Sequence, residues 1–199
     1  LIKSFQPVAC LQIERSFPMP SASAASTAPF TSNNAFLAIF WGGLACGVLD
    51  ITQACIAWGI QNNVPPQRIF QSVASGLLGP KAFQGGTSTA ALGLFLHFLI
   101  AFIWAVIYYV ASRQIAFLTE RPVIAGLLYG EFVWLMMNCM VIPLSAIHRW
   151  PPRFDTASII TGPILHPVLV GLPVALAVKR WRQKCRLPKM PKLQKSAEI

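Results

Sequence analysis

The chain has 199 residues, of which 55% are hydrophobic and 11% charged, and its formal net charge is +10. So little polar surface excludes an ordinary water-soluble domain. The charge does not point to nucleic acid, because eight of the basic residues are gathered between Lys179 and Lys195 and not spread over a folded surface. What remains is an all-α polytopic membrane protein whose first partner is the lipid bilayer.

Residues 1–34 mix scattered charges with a Ser, Ala and Thr-rich stretch from Ser21 to Ser32. They lack the apolar core of a signal peptide, and the composition predicts a disordered segment. Met19 is a candidate start, which would place residues 1–18 outside the translated protein.

The first span is expected over residues 35–60, longer than the roughly 20 residues needed to cross hydrocarbon. Within it Gly43, Gly47, Asp50 and Ala54 recur at helical spacing, so two glycines, a carboxyl group and an alanine share one stripe. That stripe is expected to face protein. A carboxylate at mid-bilayer costs about 2.5 to 3.5 kcal/mol, so Asp50 must find a partner, stay protonated or line a wet cavity.

Residues 61–89 are too polar to cross, yet a stripe of Ile69, Phe70, Val73, Ala74, Leu77 and Leu78 runs opposite Arg68, Gln71, Ser72 and Ser75. Pro65 and Pro66 suit a helix start, and Gly79 with Pro80 a stop. The pattern predicts a short helix over 66–78, lying at the membrane interface or closing the mouth of the bundle.

Three further spans follow. Residues 90–111 carry His97, residues 123–144 carry Glu131 and Asn138, and residues 157–178 carry His166. The basic segment 179–199 reads as a cytoplasmic tail that meets anionic lipid headgroups, and by the positive-inside rule it puts both termini in the cytoplasm. Residues 145–156 then face outward, with His148, Arg149 and Arg153 against the rule. Cys46, Cys55 and Cys139 fall in apolar spans and Cys185 in the tail, at spacings that match no zinc pattern. Neither a metal nor a cofactor is expected. Trp58 and Trp150 at the outer ends, with Tyr108, Tyr109 and Trp181 at the inner ends, read as interfacial anchors.

The two halves echo each other. Gly43, Leu44 and Gly47 have the spacing of Gly126, Leu127 and Gly130; Pro65 and Pro66 pair with Pro151 and Pro152; Gly93 precedes His97 by four residues, as Gly162 precedes His166. The pattern fits a tandem two-helix repeat, although such residues are common in spans.

Counting about 1.5 Å per residue, Asp50, His97, Asn138 and His166 fall at similar depth, one from each span, with Glu131 about two turns deeper. Two imidazoles, a carboxyl and an amide are the material of a proton relay; they are equally the material of interhelical hydrogen bonds. In the fourth span Pro163, Pro167 and Pro173 each remove a backbone donor, which predicts a kinked, inward-facing helix.

The chain resembles the YagU-type bacterial inner-membrane proteins. Gly47–Val48, Trp58–Gly59, Pro65–Pro66, Pro143–Leu144, Pro151–Pro152, Phe154–Asp155 and His166 carry the likeness, which covers most of 36–180. The resemblance implies an association with acid resistance. The expected function is therefore a proton-sensitive or proton-handling role centred on Asp50, His97 and His166, in a homo-oligomer or membrane complex. The alternatives are an assembly subunit whose glycine pairs serve helix association, and a membrane-embedded enzyme, which lacks an accompanying nucleophile or metal pattern.

Overall fold

The computed structural model describes residues 32–147 and 162–186. The readings made for residues 1–31, for the loop containing His148, Arg149, Trp150, Pro151, Pro152, Arg153 and Asp155, for the start of the fourth span and for the tail beyond Arg186 lie outside the described residues.

Among the described residues four helices are long and apolar enough to cross a bilayer: Asn34–Asn62, Gly86–Gln114, Pro122–Leu144 and Gly162–Arg182. Among the described residues there is no strand. In none of the four is more than 33% of the most apolar stretch buried by the rest of the protein. Over its described residues the chain is a polytopic, all-helical membrane protein.

The first span, α1, runs Ser32–Asn62. Ser32, Asn33 and Asn34 therefore belong to the helix and not to a disordered leader. No proline or glycine stops them, and extending the helix carries its unpaired first amides out of the apolar zone into the polar membrane boundary. The fourth span overshoots its expected end in the same way: helix continues over Leu172–Arg186, because the Lys, Arg and Gln that leave the apolar zone are themselves good helix formers.

Helix α2 covers Pro66–Leu78, with proline in its first turn. Gly79, at φ 60°, ends it by donating its amide to the carbonyl of Ser75, a left-handed closure that glycine makes without strain. A 3-10 turn over Gly79–Gln84 leads to α3, Gly86–Gln114. The short α4, Phe117–Glu120, joins α3 to α5, Pro122–Leu144. The described part of the fourth span, residues 162–186, is α6.

One detail of α2 differs from its amphipathic reading. Gln71 and Ser75 are buried, while Leu77 and Leu78 are exposed. The reason is that α2 lies against α3: the Phe70 carbonyl presses on Gly93, where no Cβ would fit, and Gln71 Nε2 donates to the Gly86 carbonyl at 2.9 Å. At its far end Ala146, just beyond α5, donates its amide to the Gly76 carbonyl at 2.8 Å. Backbone and amide contacts hold this helix to the bundle, so its polar side is used inward.

Helix α1 packs between α3 and α6, and α5 packs along α6. Small residues set these approaches. Gly42 meets Val174 and Ala177 of α6, whereas Gly43 and Gly47 receive the rings of Phe102 and Phe98 of α3. Gly126 and Gly130 of α5 lie against the α6 backbone at Gly171 and Pro167. Helices α3 and α5 meet through aromatic side chains, with Tyr108 and Tyr129 stacked edge to face at 4.8 Å and the Tyr129 hydroxyl donating to the Trp104 carbonyl at 2.6 Å. At the α4 end of the bundle, the Tyr108 hydroxyl donates to the Leu118 carbonyl at 2.9 Å, and Arg182 donates to the Ser112 carbonyl.

The prolines act through helix register. Residues Met137–Val141 of α5 and Pro167–Gly171 of α6 are π-helical, and the Ile142 and Leu172 amides each reach back five residues, to Met137 and Pro167. A proline follows each segment at the same interval, Pro143 in one and Pro173 in the other. The wider turn accommodates a ring that would clash with a tighter one. Helix α6 is continuous through Pro163, Pro167 and Pro173, and its irregularity takes this form.

Candidate functional site: a cavity within the bundle

The close packing of α1 on α3 and of α5 on α6 leaves a cavity of about 370 Å³ between the helices. It follows α1 from Cys46 to Gln61, roughly 22 Å of helix at 1.5 Å per residue. Cys46, Ala101, Trp104, Val133 and Val170 line its inner part, and Trp58, Gln61, Ile69, Ser72 and Ile142 its α2 end. The polar groups Asp50, His97, Asn138 and His166 lie along it, one from each spanning helix.

Asp50, three residues beyond the Gly47 that packs against Phe98 of α3, lines the cavity. Its Oδ1 stands 3.7 Å from Nε2 of His166, with the two side chains 24% and 21% exposed. That separation is within ion-pair range and too long for a direct hydrogen bond. Glu131 and His97 are near enough to His166 to act on it electrostatically.

His97 is placed differently. Its Nε2 lies 2.9 Å from the Gly47 carbonyl. A carbonyl only accepts, so Nε2 carries the proton, and in the neutral ring Nδ1 keeps the lone pair. This bond ties α3 to α1 across the bilayer interior. Asn138 turns back on its own helix and donates from Nδ2 to the Trp134 carbonyl at 2.8 Å, where the α register gives way to π. His166 directly precedes the other π segment. Both polar side chains thus stand where local register slips, a feature often found at functional sites.

Of the residues singled out in the sequence, Asp50, His97, Asn138 and His166 share the cavity. Glu131 is half-buried and does not line it. The four glycines of the two pairs are engaged inside the chain, as are Gly93 and Gly162: Gly93 takes the Phe70 carbonyl and Gly162 the indole of Trp134. Gly47 accepts from His97, and Gly130 lies against the His166 carbonyl. Among the described residues no three His, Cys, Asp or Glu side chains converge in a way that could hold a metal ion.

Sequence reasoning missed the indoles. Trp58, read as an anchor, lines the cavity, and so do Trp104 and Trp134. Of the two readings offered for α2, closure of the bundle mouth agrees with its place: Ile69 and Val73 of the apolar stripe line the cavity, joined by Ser72 from the polar side. Periodicity shows which residues share a face, and it does not show which neighbour that face meets. The recurrence of Trp134 and Asn138 one turn apart was the one signal of an aromatic wall beside the amide.

No family model, no curated protein and no solved structure matches the chain.

Proposed function

We propose that this membrane protein handles protons at an intramembrane site made by Asp50 and His166, with His97 and Asn138 completing the polar layer. The observation that carries the reading is the 3.7 Å approach of a carboxylate and an imidazole from two helices, inside a cavity large enough for water. A carboxylate at this depth is costly unless it is protonated, paired or wetted, and all three conditions change with proton activity at such a site. The resemblance to YagU-type proteins supports an acid-stress role and a bacterial inner membrane. The cluster of cations after Lys179 supports cytoplasmic termini and contact with anionic headgroups. The rival reading as an assembly subunit draws no support from Gly43, Gly47, Gly126 and Gly130, because each is occupied by packing within the chain.

The test is pH-difference infrared spectroscopy on protein reconstituted in bilayers. Acidification should bring up a protonated-carboxyl band that is missing in Asp50→Asn and displaced in His166→Gln. A wild-type spectrum without an Asp50-dependent band would remove the proposal.

A further inference from the structure

The cavity has a composition that water and protons alone do not require. Its volume, about 370 Å³, lies within the range of small-molecule sites, which is roughly 300 to 1,000 Å³. Trp58, Trp104 and Trp134 all line it. Among the described lining residues there is one carboxylate, Asp50, and no lysine or arginine. Indole faces carry negative quadrupole potential and attract organic cations, most strongly where water is scarce. Gln53, Gln61 and Asn138 add neutral polar groups, and Met137, Ile51 and Ile100 give adaptable apolar contact.

We propose that the cavity binds a hydrophobic organic monocation, of the quaternary ammonium or aryl phosphonium class, whose charge rests beside the Asp50 carboxylate in a space that three tryptophans help to line. The proposal rests on the reading of Asp50 and His166 as one proton site, because the ligand and the protonated imidazole then compete for one carboxylate. His166 of α6 faces that carboxylate at 3.7 Å, His97 reaches the cavity from α3, Cys46 lines it one turn below on α1, and Glu131 of α5 lies within electrostatic range of His166. When the imidazoles are neutral, Asp50 is the formal charge that the ligand meets. When His166 is protonated it takes the cation's place beside Asp50, so acidification weakens binding.

The probe is tetraphenylphosphonium, with uncharged triphenylphosphine oxide as its counterpart, added to the full-length protein in nanodiscs. Saturable phosphonium binding is expected near pH 8, about tenfold weaker near pH 5, across the range in which histidine changes charge. The phosphine oxide should fail to displace it. Asp50→Asn should weaken binding about tenfold or more, and Trp134→Ala by a smaller factor, roughly threefold, since an indole contributes less than a full charge. Equal displacement by the neutral compound, binding that is flat with pH, or no saturable binding would each overturn the cation site. The pH and competitor arms use wild-type protein and hold even if a variant fails to fold. An Asp50-dependent infrared band in protein that does not bind phosphonium would overturn this inference and leave the proton reading standing. Absence of the band would remove the proton reading instead.

Discussion

Gly130 of α5 and His166 of α6 are in backbone contact: a Cβ placed on Gly130 would stand 2.6 Å from the His166 carbonyl oxygen and 2.5 Å from the Pro167 Cα. The packing of two helices and the position of the imidazole beside Asp50 are therefore one geometric fact. Gly171 closes the same crossing from the α6 side, with no room for a Cβ against Gly126.

Gly130→Ala should consequently push α6 away at the height of His166. Overpacking of this kind costs about 1 to 3 kcal/mol, so the melting temperature in detergent should fall clearly. Gly76→Ala is the control, because its nearest neighbour would be 3.8 Å away and alanine favours helix. Its melting temperature should hold or rise slightly. Equal behaviour of the two variants would contradict the close crossing.

Asp50 and His166 should behave as a coupled pair. In a double-mutant cycle with Asp50→Asn and His166→Gln, stability should be non-additive by about 0.5 to 3 kcal/mol, and the coupling should shrink as pH is raised and the imidazole loses its charge. Additivity at acidic and neutral pH alike would mean that the 3.7 Å approach has no energetic content.

Gln71→Leu should loosen α2. The amide nitrogen of Gln71 donates to the Gly86 carbonyl at 2.9 Å, and the side chain is 3% exposed. Loss of one such bond costs about 1 kcal/mol, so the spanning helices should survive while α2 opens more often. Hydrogen exchange of the α2 amides should accelerate with little change in α3 beyond its first turns. Unchanged exchange in α2 would show that its backbone contacts suffice.

Tyr129→Phe removes the hydroxyl that donates to the Trp104 carbonyl at 2.6 Å. Hydrogen bonds between membrane helices average about 0.6 kcal/mol, so the thermal shift should be small. Because Trp104 forms part of the inner wall of the cavity, its fluorescence should change more than the stability does. A spectrum identical to wild type would argue against a fixed indole at that wall.

Much of the architecture was legible because a bilayer leaves so few solutions. Runs of apolar residues longer than about 20 must become spanning helices, since only a helix satisfies its own backbone in lipid, and Pro66 and Gly79 mark the ends of α2 as surely as in water. The grouping of Asp50, His97, Asn138 and His166 could be proposed from depth, because rise per residue is constant. Glu131 shows the limit of that counting: depth set it apart from the four, and only its orientation told whether it lines the cavity.

What composition and spacing determined was therefore the number of spans, their rough limits, and which polar side chains lie at one level. The tertiary structure decided the rest: that His97 spends its Nε2 on the Gly47 carbonyl, that His166 meets Asp50, that three tryptophans line one cavity, and that prolines widen two helices into π turns. The reason is rotational. Periodicity gives each helix a face but not its angle toward its neighbours, and that angle is set by where small residues such as Gly42, Gly130 and Gly171 let two backbones touch.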